Sequence, residues 1–373
     1  MAQEIIFANG EYSELTNYIR KNGFKKIFLV CGKSMYSLPI GEYFTSLSYN
    51  AGIKIVYFSS FEVNPSYESV KEGIKIFKEE NCDVIFAVGG GSAIDVAKCI
   101  KLYSNMDSKV NYLLQTIVSN KIKLLVIPTT AGSGSEATRF AVIYYNGEKQ
   151  SVANDSCLPS AVVMDASALK TLPLYQRKST MMDAFCHAVE SFWSVNSTDK
   201  SRQYSRKAIK MIISNIDGYM ANRHESNIGM LNAANLAGKA INISQTTAGH
   251  AMCYKLSSLY KIAHGHAAAL CLRKLWPYMI TNINKCTDLR GEEYLSGIFM
   301  EIAAAMGCNS AMEGAIEFEH IFNKLGLDIP EFNNEYYIIL KTSVNHVRLK
   351  NNPIALTEDA IGMLYQQILR KEN

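Results

Sequence analysis

The sequence predicts an α/β protein in two parts: a largely parallel sheet with helices on both faces, then an all-helical segment. Two observations carry this reading. Short apolar runs alternate with helix-like stretches over the first 171 residues, and strand-like runs nearly vanish after Leu172-Pro173. The runs are Ile27–Val30, Ile53–Phe58, Val84–Val88, Leu124–Ile127 and Ala161–Met164. They are rich in Ile, Val and Phe, too short for helices, and several end in Gly, Pro or Thr, the pattern of buried strands. Val70, Ile74 and Phe77 fall between two of them at helical spacing, so the alternation reads as βαβ. In the second part Ile209, Ile212, Ile213 and Ile216 repeat at helical spacing. A terminal helix is expected where Thr357-Glu358-Asp359-Ala360 precedes Ile361, Leu364 and Ile368, with Thr357 as its cap. The domains are therefore placed at 1–171 and 172–373.

With 373 residues, 48% hydrophobic and 19% charged, the chain has an ordinary globular composition. The formal net charge is +4 with no Lys/Arg run, which excludes the basic stripe of a nucleic-acid binder. No apolar stretch reaches membrane-spanning length. The nine cysteines are scattered and never form C-x-x-C, so a disulfide framework and a cysteine-type zinc site are not expected. Reduced thiols, and no basic n-region after Met1-Ala2-Gln3-Glu4, point to a cytoplasmic protein.

Two loops have the chemistry of a nucleotide site. Val84–Val88 runs into Gly89-Gly90-Gly91-Ser92 and a helix carrying Asp95. Glycines let the backbone approach a phosphate, and a helix start presents N–H groups and a positive dipole end to it. The G-x-G-x-x-G spacing is absent, and a tight turn without ligand explains the same residues. The second loop leaves Leu124–Pro128 through Thr129-Thr130-Ala131-Gly132-Ser133-Gly134-Ser135-Glu136. Two such loops at the carboxyl ends of parallel strands can line one crevice.

Metal chemistry is suggested by the histidines. Tyr175–Val195 reads as an amphipathic helix with Phe185, Ala188, Val189, Phe192 and Trp193 on its apolar face. Thr180, Asp183, His187, Glu190 and Ser194 form another stripe. Asp183 and His187, at i and i+4, can chelate one metal; an exposed ion pair on a solvated stripe explains the same spacing. Three of the seven histidines, His250, His264 and His266, fall close together. Asp183 and His187 joined by two of them would suit Fe(II) or Zn(II).

Together these residues resemble the iron-containing (group III) alcohol dehydrogenase family over nearly the whole chain. The likeness rests on Gly89-Gly90-Gly91-Ser92 with Asp95, on Pro128-Thr129-Thr130 through Ser135-Glu136-Ala137-Thr138, on Asp183-Ala184-Phe185-Cys186-His187, and on the fourteen-residue step from His250 to His264-Gly265. It implies a Rossmann-like N-terminal domain and an all-helical C-terminal domain, with homodimers plausible. It implies metal ligation by Asp183, His187, His250 and His264. It places Gly90, Gly91 and Ser92 at the pyrophosphate, with Asp95 in the same motif, Thr129, Thr130 and Ser133 toward the nicotinamide, and Lys149 at a lysine common in the family. The reaction implied is reduction of a carbonyl by a nicotinamide hydride, the metal acting as Lewis acid.

Two departures refine this expectation. The family often has a histidine four residues after the third ligand; here it is Tyr254, whose hydroxyl is the candidate proton donor. After Phe28-Leu29-Val30, where NAD-preferring members carry an Asp, this chain reads Cys31-Gly32-Lys33-Ser34. Gly32, Lys33 and Ser34 therefore favour NADPH over NADH. The stretch from Tyr254-Lys255-Leu256 to His264-Gly265-His266 resembles the phosphonoacetaldehyde reductase branch, which makes 2-hydroxyethylphosphonate. That reading makes Lys255, Arg139, Arg273 and His266 candidates for binding a small anionic aldehyde. Sulfoacetaldehyde or a plain short aldehyde are alternatives. A dehydroquinate-synthase-like lyase and a non-catalytic nucleotide-binding protein are the readings from other classes.

Overall fold

The structure, a computed structural model, describes residues 3–370. The chain divides into two compact units, one running up to Thr130 and resuming at Gly134–Leu172, the other comprising Ala131–Ser133 and Pro173 onward. The first unit carries β1 (Glu4–Ala8), α1 (Ser13–Lys21), β2 (Lys26–Cys31), α2 (Pro39–Asn50), β3 (Lys54–Phe58), α3 (Tyr67–Glu79), β4 (Val84–Gly89) and α4 (Gly91–Tyr103). It continues through β5 (Lys123–Pro128), β6 (Phe140–Tyr145), β7 (Glu148–Ala153) and β8 (Ala161–Asp165).

Six strands form one parallel sheet in the order β1-β8-β5-β4-β2-β3. In β2, β4, β5 and β8 almost every residue is buried, which is why they read as unbroken apolar runs. Two elements escape the sequence pattern. β1 is an edge strand in which only Ile6 is buried, and β6–β7 is an antiparallel hairpin with a largely polar second arm, Glu148-Lys149-Gln150-Ser151.

The register puts Val88 beside Cys31 and Gly89 beside Pro128, so the loops after β2, β4 and β5 leave one edge of the sheet side by side. The Thr129 N–H donates to the Gly89 carbonyl at 3.1 Å, and the Gly32 N–H to that of Val88 at 3.4 Å. Behind them lies Lys98 on α4, fully buried. Its ammonium donates to Ser135 Oγ (3.0 Å), the Thr138 carbonyl (2.8 Å) and hydroxyl (3.2 Å), and the Phe140 carbonyl (2.6 Å). Burial pushes its pKa down, while Asp95 and Glu136 favour the charged form. This cation fixes the chain between β5 and β6.

The second unit is helical: α5 (Leu174–Trp193), α6 (Asp199–Met220), α7 (His224–Ser244), α8 (Ala248–Tyr260), α9 (His264–Thr281), α10 (Glu292–Met306), α11 (Ala311–Lys324), α12 (Asn334–Thr342), α13 (His346–Leu349) and α14 (Glu358–Leu369). α5 is its axis, packing against α6, α7, α9 and α10. The Thr357 hydroxyl caps α14 by accepting from the Ala360 N–H. Among the described residues no single helix is long and apolar enough to cross a membrane.

Lys98→Met should leave four oxygens of the β5–β6 connection without their buried donor. The expected result is a loss of about 3–5 kcal/mol in the first unit, read as a lower denaturant midpoint.

Candidate functional site

The polar stripe of α5 faces inward. Asp183, His187, Glu190 and Ser194 are all buried, which corrects the picture of a solvated stripe: both faces of this helix are covered, because helices pack around it. α8 presents His250 and α9 begins with His264. Asp183 Oδ1 lies 3.9 Å from His187 Nε2, 3.5 Å from His250 Nε2 and 4.0 Å from His264 Nε2. Bonds of about 2.1 Å in a tetrahedral array separate donor atoms by roughly 3.4 Å, so each imidazole Nε2 stands near a co-ligand's spacing from Asp183 Oδ1. Asp183, His187 and His250 form a buried candidate metal cluster, and the more exposed His264 approaches it at the Asp183 carboxylate.

Hydrogen bonding fits a cation here. Asp183 Oδ1 and His250 Nε2 are buried and make no hydrogen bond. Such orphaned atoms are costly unless a ligand satisfies them. The ionisation shifts agree. Burial opposes the charge on Asp183, yet His187, His250 and His264 hold its carboxyl below the ordinary range. Burial likewise opposes charge on His250, but Glu190 and Asp183 raise it to about 9. His187 goes the other way, to about 4, because its burial outweighs the pull of Asp183. The two buried imidazoles thus shift in opposite directions, His250 toward the charged form and His187 toward the neutral form that can ligate a metal.

Glu190, which the sequence placed on the stripe without a task, orients the site. Its Oε2 binds His250 Nδ1, and its Oε1 accepts from the Thr247 N–H (3.0 Å), the Thr247 hydroxyl (2.7 Å) and the His250 N–H (3.2 Å). A carboxylate on Nδ1 fixes the tautomer that aims Nε2 at a metal. Its position seven residues after Asp183 was the available signal. Gly265 brings the helices together: a Cβ there would overlap the Ser179 carbonyl oxygen and lie 2.5 Å from Asp183 Cβ. Tyr254 stacks on His264, with ring centroids 5.6 Å apart and planes 10° from parallel.

In the first unit, α4 starts at Gly91 with no side-chain cap, so its first N–H groups face the turn. A Cβ on Gly90 would come within 3.2–3.3 Å of the Thr130 side chain, so glycine there keeps the two loops close. Gly90, Gly91, Ser92 and Thr130 are half-buried, and Thr129 is buried. Lys33 and Ser34 are exposed on a short 3-10 turn after Gly32.

Against known proteins, residues 2–166 match iron-containing alcohol dehydrogenase, and residues 178–369 match the Fe-containing alcohol dehydrogenase family, C-terminal. The chain belongs to the iron-containing alcohol dehydrogenase family. The enzyme is 30% identical to the 1,3-propanediol dehydrogenase of Citrobacter freundii over 82% of this chain and 79% of that one. It is 25% identical to the NADPH-dependent butanol dehydrogenase of Clostridium saccharobutylicum, over 98% and 96%. Its fold matches the sulfoacetaldehyde reductase of Bifidobacterium kashiwanohense, solved with NAD+, with a TM-score of 0.87 at 24% identity, covering 99% and 98% of the two chains.

Other residues singled out in the enzyme's sequence lie elsewhere. His266 is buried and both ring nitrogens are engaged: Nδ1 with the Tyr175 hydroxyl (3.1 Å) and Nε2 with the Asp328 carbonyl (2.8 Å). It ties α9 to α5 and is not presented to a substrate. Lys255 is exposed, roughly 140° around α8 from His250 by helical geometry, and the structure does not bring it to the cluster. Arg139 pairs with Asp155 at 3.4 Å. Arg273 is buried against the Ile368 carbonyl and Glu319. Asp95 is turned inward, accepting from the Ser135 hydroxyl (2.6 Å) and the Val142 N–H (3.0 Å), so it organises the loop and not a phosphate. Lys149 lies on β7, electrostatically linked to that carboxylate. Ser133 is half-buried in the short segment that groups with the helical unit.

Glu190→Gln should keep the fold and weaken metal affinity about 10- to 100-fold, measured by competition with a chromogenic chelator. Gly265→Ala should force α9 away from α5. Metal content of the purified variant should fall well below one ion per chain, while circular dichroism still shows the helices.

Proposed function

We propose that this enzyme reduces a small aldehyde bearing a phosphonate or sulfonate group to its alcohol, with NADPH as hydride donor and Fe(II) as the metal. One observation carries the chemistry: Asp183 Oδ1 and three imidazole Nε2 atoms converge within 3.5–4.0 Å in a chain of this family. Asp183, His187, His250 and His264 would hold the ion, which when bound supplies Lewis acidity toward a carbonyl oxygen. The negative charges of Asp183 and of Glu190, acting through His250, together match a dication.

The balance is one aldehyde, one reduced nicotinamide and one proton giving one alcohol and one oxidised nicotinamide. Gly90, Gly91 and Ser92 would hold the pyrophosphate on the α4 N-terminus, and Thr129, Thr130 and Ser133 would flank the nicotinamide. Lys33 and Ser34 would meet a 2′-phosphate. Tyr254, stacked on His264, keeps a phenol proton beside the ligand set. The anionic substrate class rests on the resemblance of the Tyr254–His266 stretch to the phosphonoacetaldehyde reductase branch, and the same fold is found in a sulfoacetaldehyde reductase.

The test is NADPH oxidation by Fe(II)-loaded enzyme with phosphonoacetaldehyde, sulfoacetaldehyde and propanal. A kcat/KM at least about 100-fold higher for an anionic aldehyde supports the reading. Equal turnover of propanal leaves a general short-chain alcohol dehydrogenase, the activity that the 1,3-propanediol relative's name suggests. Chelation should abolish turnover, and Fe(II) should restore it. Lys33→Asp should repel the 2′-phosphate and raise KM for NADPH about tenfold or more over that for NADH.

A further inference from the structure

His264 is the most exposed of the three imidazoles: its side chain is 40% exposed, against 7% for His187 and 2% for His250. It also opens α9, and the residue before it, Ala263, provides no side-chain cap. We infer that Tyr175 and His266, neither of them a ligand, are positioning residues that set the start of α9 along α5 and so hold His264 at its distance from Asp183. The inference rests on the ligand set named above.

The hydrogen bonds between these groups run in one direction. His266 Nε2 lies 2.8 Å from the Asp328 carbonyl, which can only accept, so Nε2 carries the ring proton. Burial favours the neutral ring, in which Nδ1 is then an acceptor. The Tyr175 O–H, 3.1 Å away, donates to it. The Tyr175 oxygen in turn accepts from the Ala263 N–H at 2.9 Å. The relay is thus satisfied from the Asp328 carbonyl to the backbone residue that precedes His264. Tyr175 does from a neighbouring helix what a capping-box side chain does from within: it takes up the N–H of the N-cap residue.

The place of Tyr175 on α5 ties this cap to the metal site. Tyr175, Ser179 and Asp183 follow one another at four-residue steps and climb one side of the helix. The first turn of α9 lies along that same side. Ala263 meets Tyr175, a Cβ on Gly265 would overlap the Ser179 carbonyl oxygen and lie 2.5 Å from Asp183 Cβ, and His264 Nε2 stands 4.0 Å from Asp183 Oδ1. Gly265 decides how near α9 comes to α5; the Tyr175 hydroxyl decides where along α5 it begins. Burial of the phenol ring does not account for Tyr175, which is 41% exposed. The buried member is His266, whose ring meets the phenol edge-on at 5.8 Å and is anchored through Asp328 to the segment after α11.

The experiment measures Co(II) affinity of metal-stripped full-length enzyme by competition with a chromogenic chelator. It compares wild type, Tyr175→Phe, His264→Ala and the two substitutions combined. Tyr175→Phe keeps the ring and removes only the hydroxyl. It should weaken Co(II) binding about tenfold, with the helical circular dichroism retained. In the His264→Ala background the same substitution should cost nothing further, because the ligand through which it acts is gone. His266→Leu should behave like Tyr175→Phe, and His266→Gln, which keeps one donor and one acceptor, should recover part of the affinity. Should Tyr175→Phe not fold, His266→Leu carries the same cycle. An unchanged affinity in Tyr175→Phe, or an equal loss with and without His264, overturns the inference and leaves the ligand set standing. If His264→Ala binds Co(II) as tightly as wild type, His264 is not a ligand, and the ligand set and this inference fall together.

Discussion

Asp183 is the constraint around which the helical unit is arranged. An ionised carboxylate buried inside a protein is costly unless other charges or hydrogen bonds meet it. Here one oxygen is met by three imidazole nitrogens at 3.5–4.0 Å and by no conventional hydrogen bond. A divalent cation satisfies all four groups at once. Without it, the Asp183 oxygen that faces the imidazoles is buried with no hydrogen-bond donor to compensate it.

The scaffold serves this geometry in two ways. Close approach is provided by Gly265, which lets α9 touch α5 so that His264 and Asp183 face one point. Orientation is provided by Glu190, which spends both oxygens on Thr247 and His250. In the sheet unit the same logic uses a buried cation: Lys98 gathers oxygens of the chain that follows the Thr129–Thr130 loop, and Asp95 fastens that chain from the other side. Both units thus use buried charge to fix backbone that carries function.

The parts legible in the sequence were those whose signal is local. Strands buried on both faces leave unbroken apolar runs, and β2, β4, β5 and β8 were visible for that reason. β1 buries only Ile6, and the second arm of the β6–β7 hairpin is polar, so neither has a run to find. Asp183 and His187 show as a helical i, i+4 pair. His266 and Lys255 drew attention because they neighbour His264 and Tyr254 in the chain. Two helical steps turn His266 about 200° from His264, into the core, and one turns Lys255 about 100° from Tyr254, toward solvent.

The most direct measurement is a Co(II) titration of metal-stripped enzyme followed by visible absorption, for wild type and for Asp183→Ala. The expected result is a single Co(II) per chain with intense d–d bands of a low-coordinate nitrogen and oxygen site, lost in the variant. A spectrum that survives removal of the Asp183 carboxylate, or no Co(II) bound to wild type, would contradict a metal centre built on this residue.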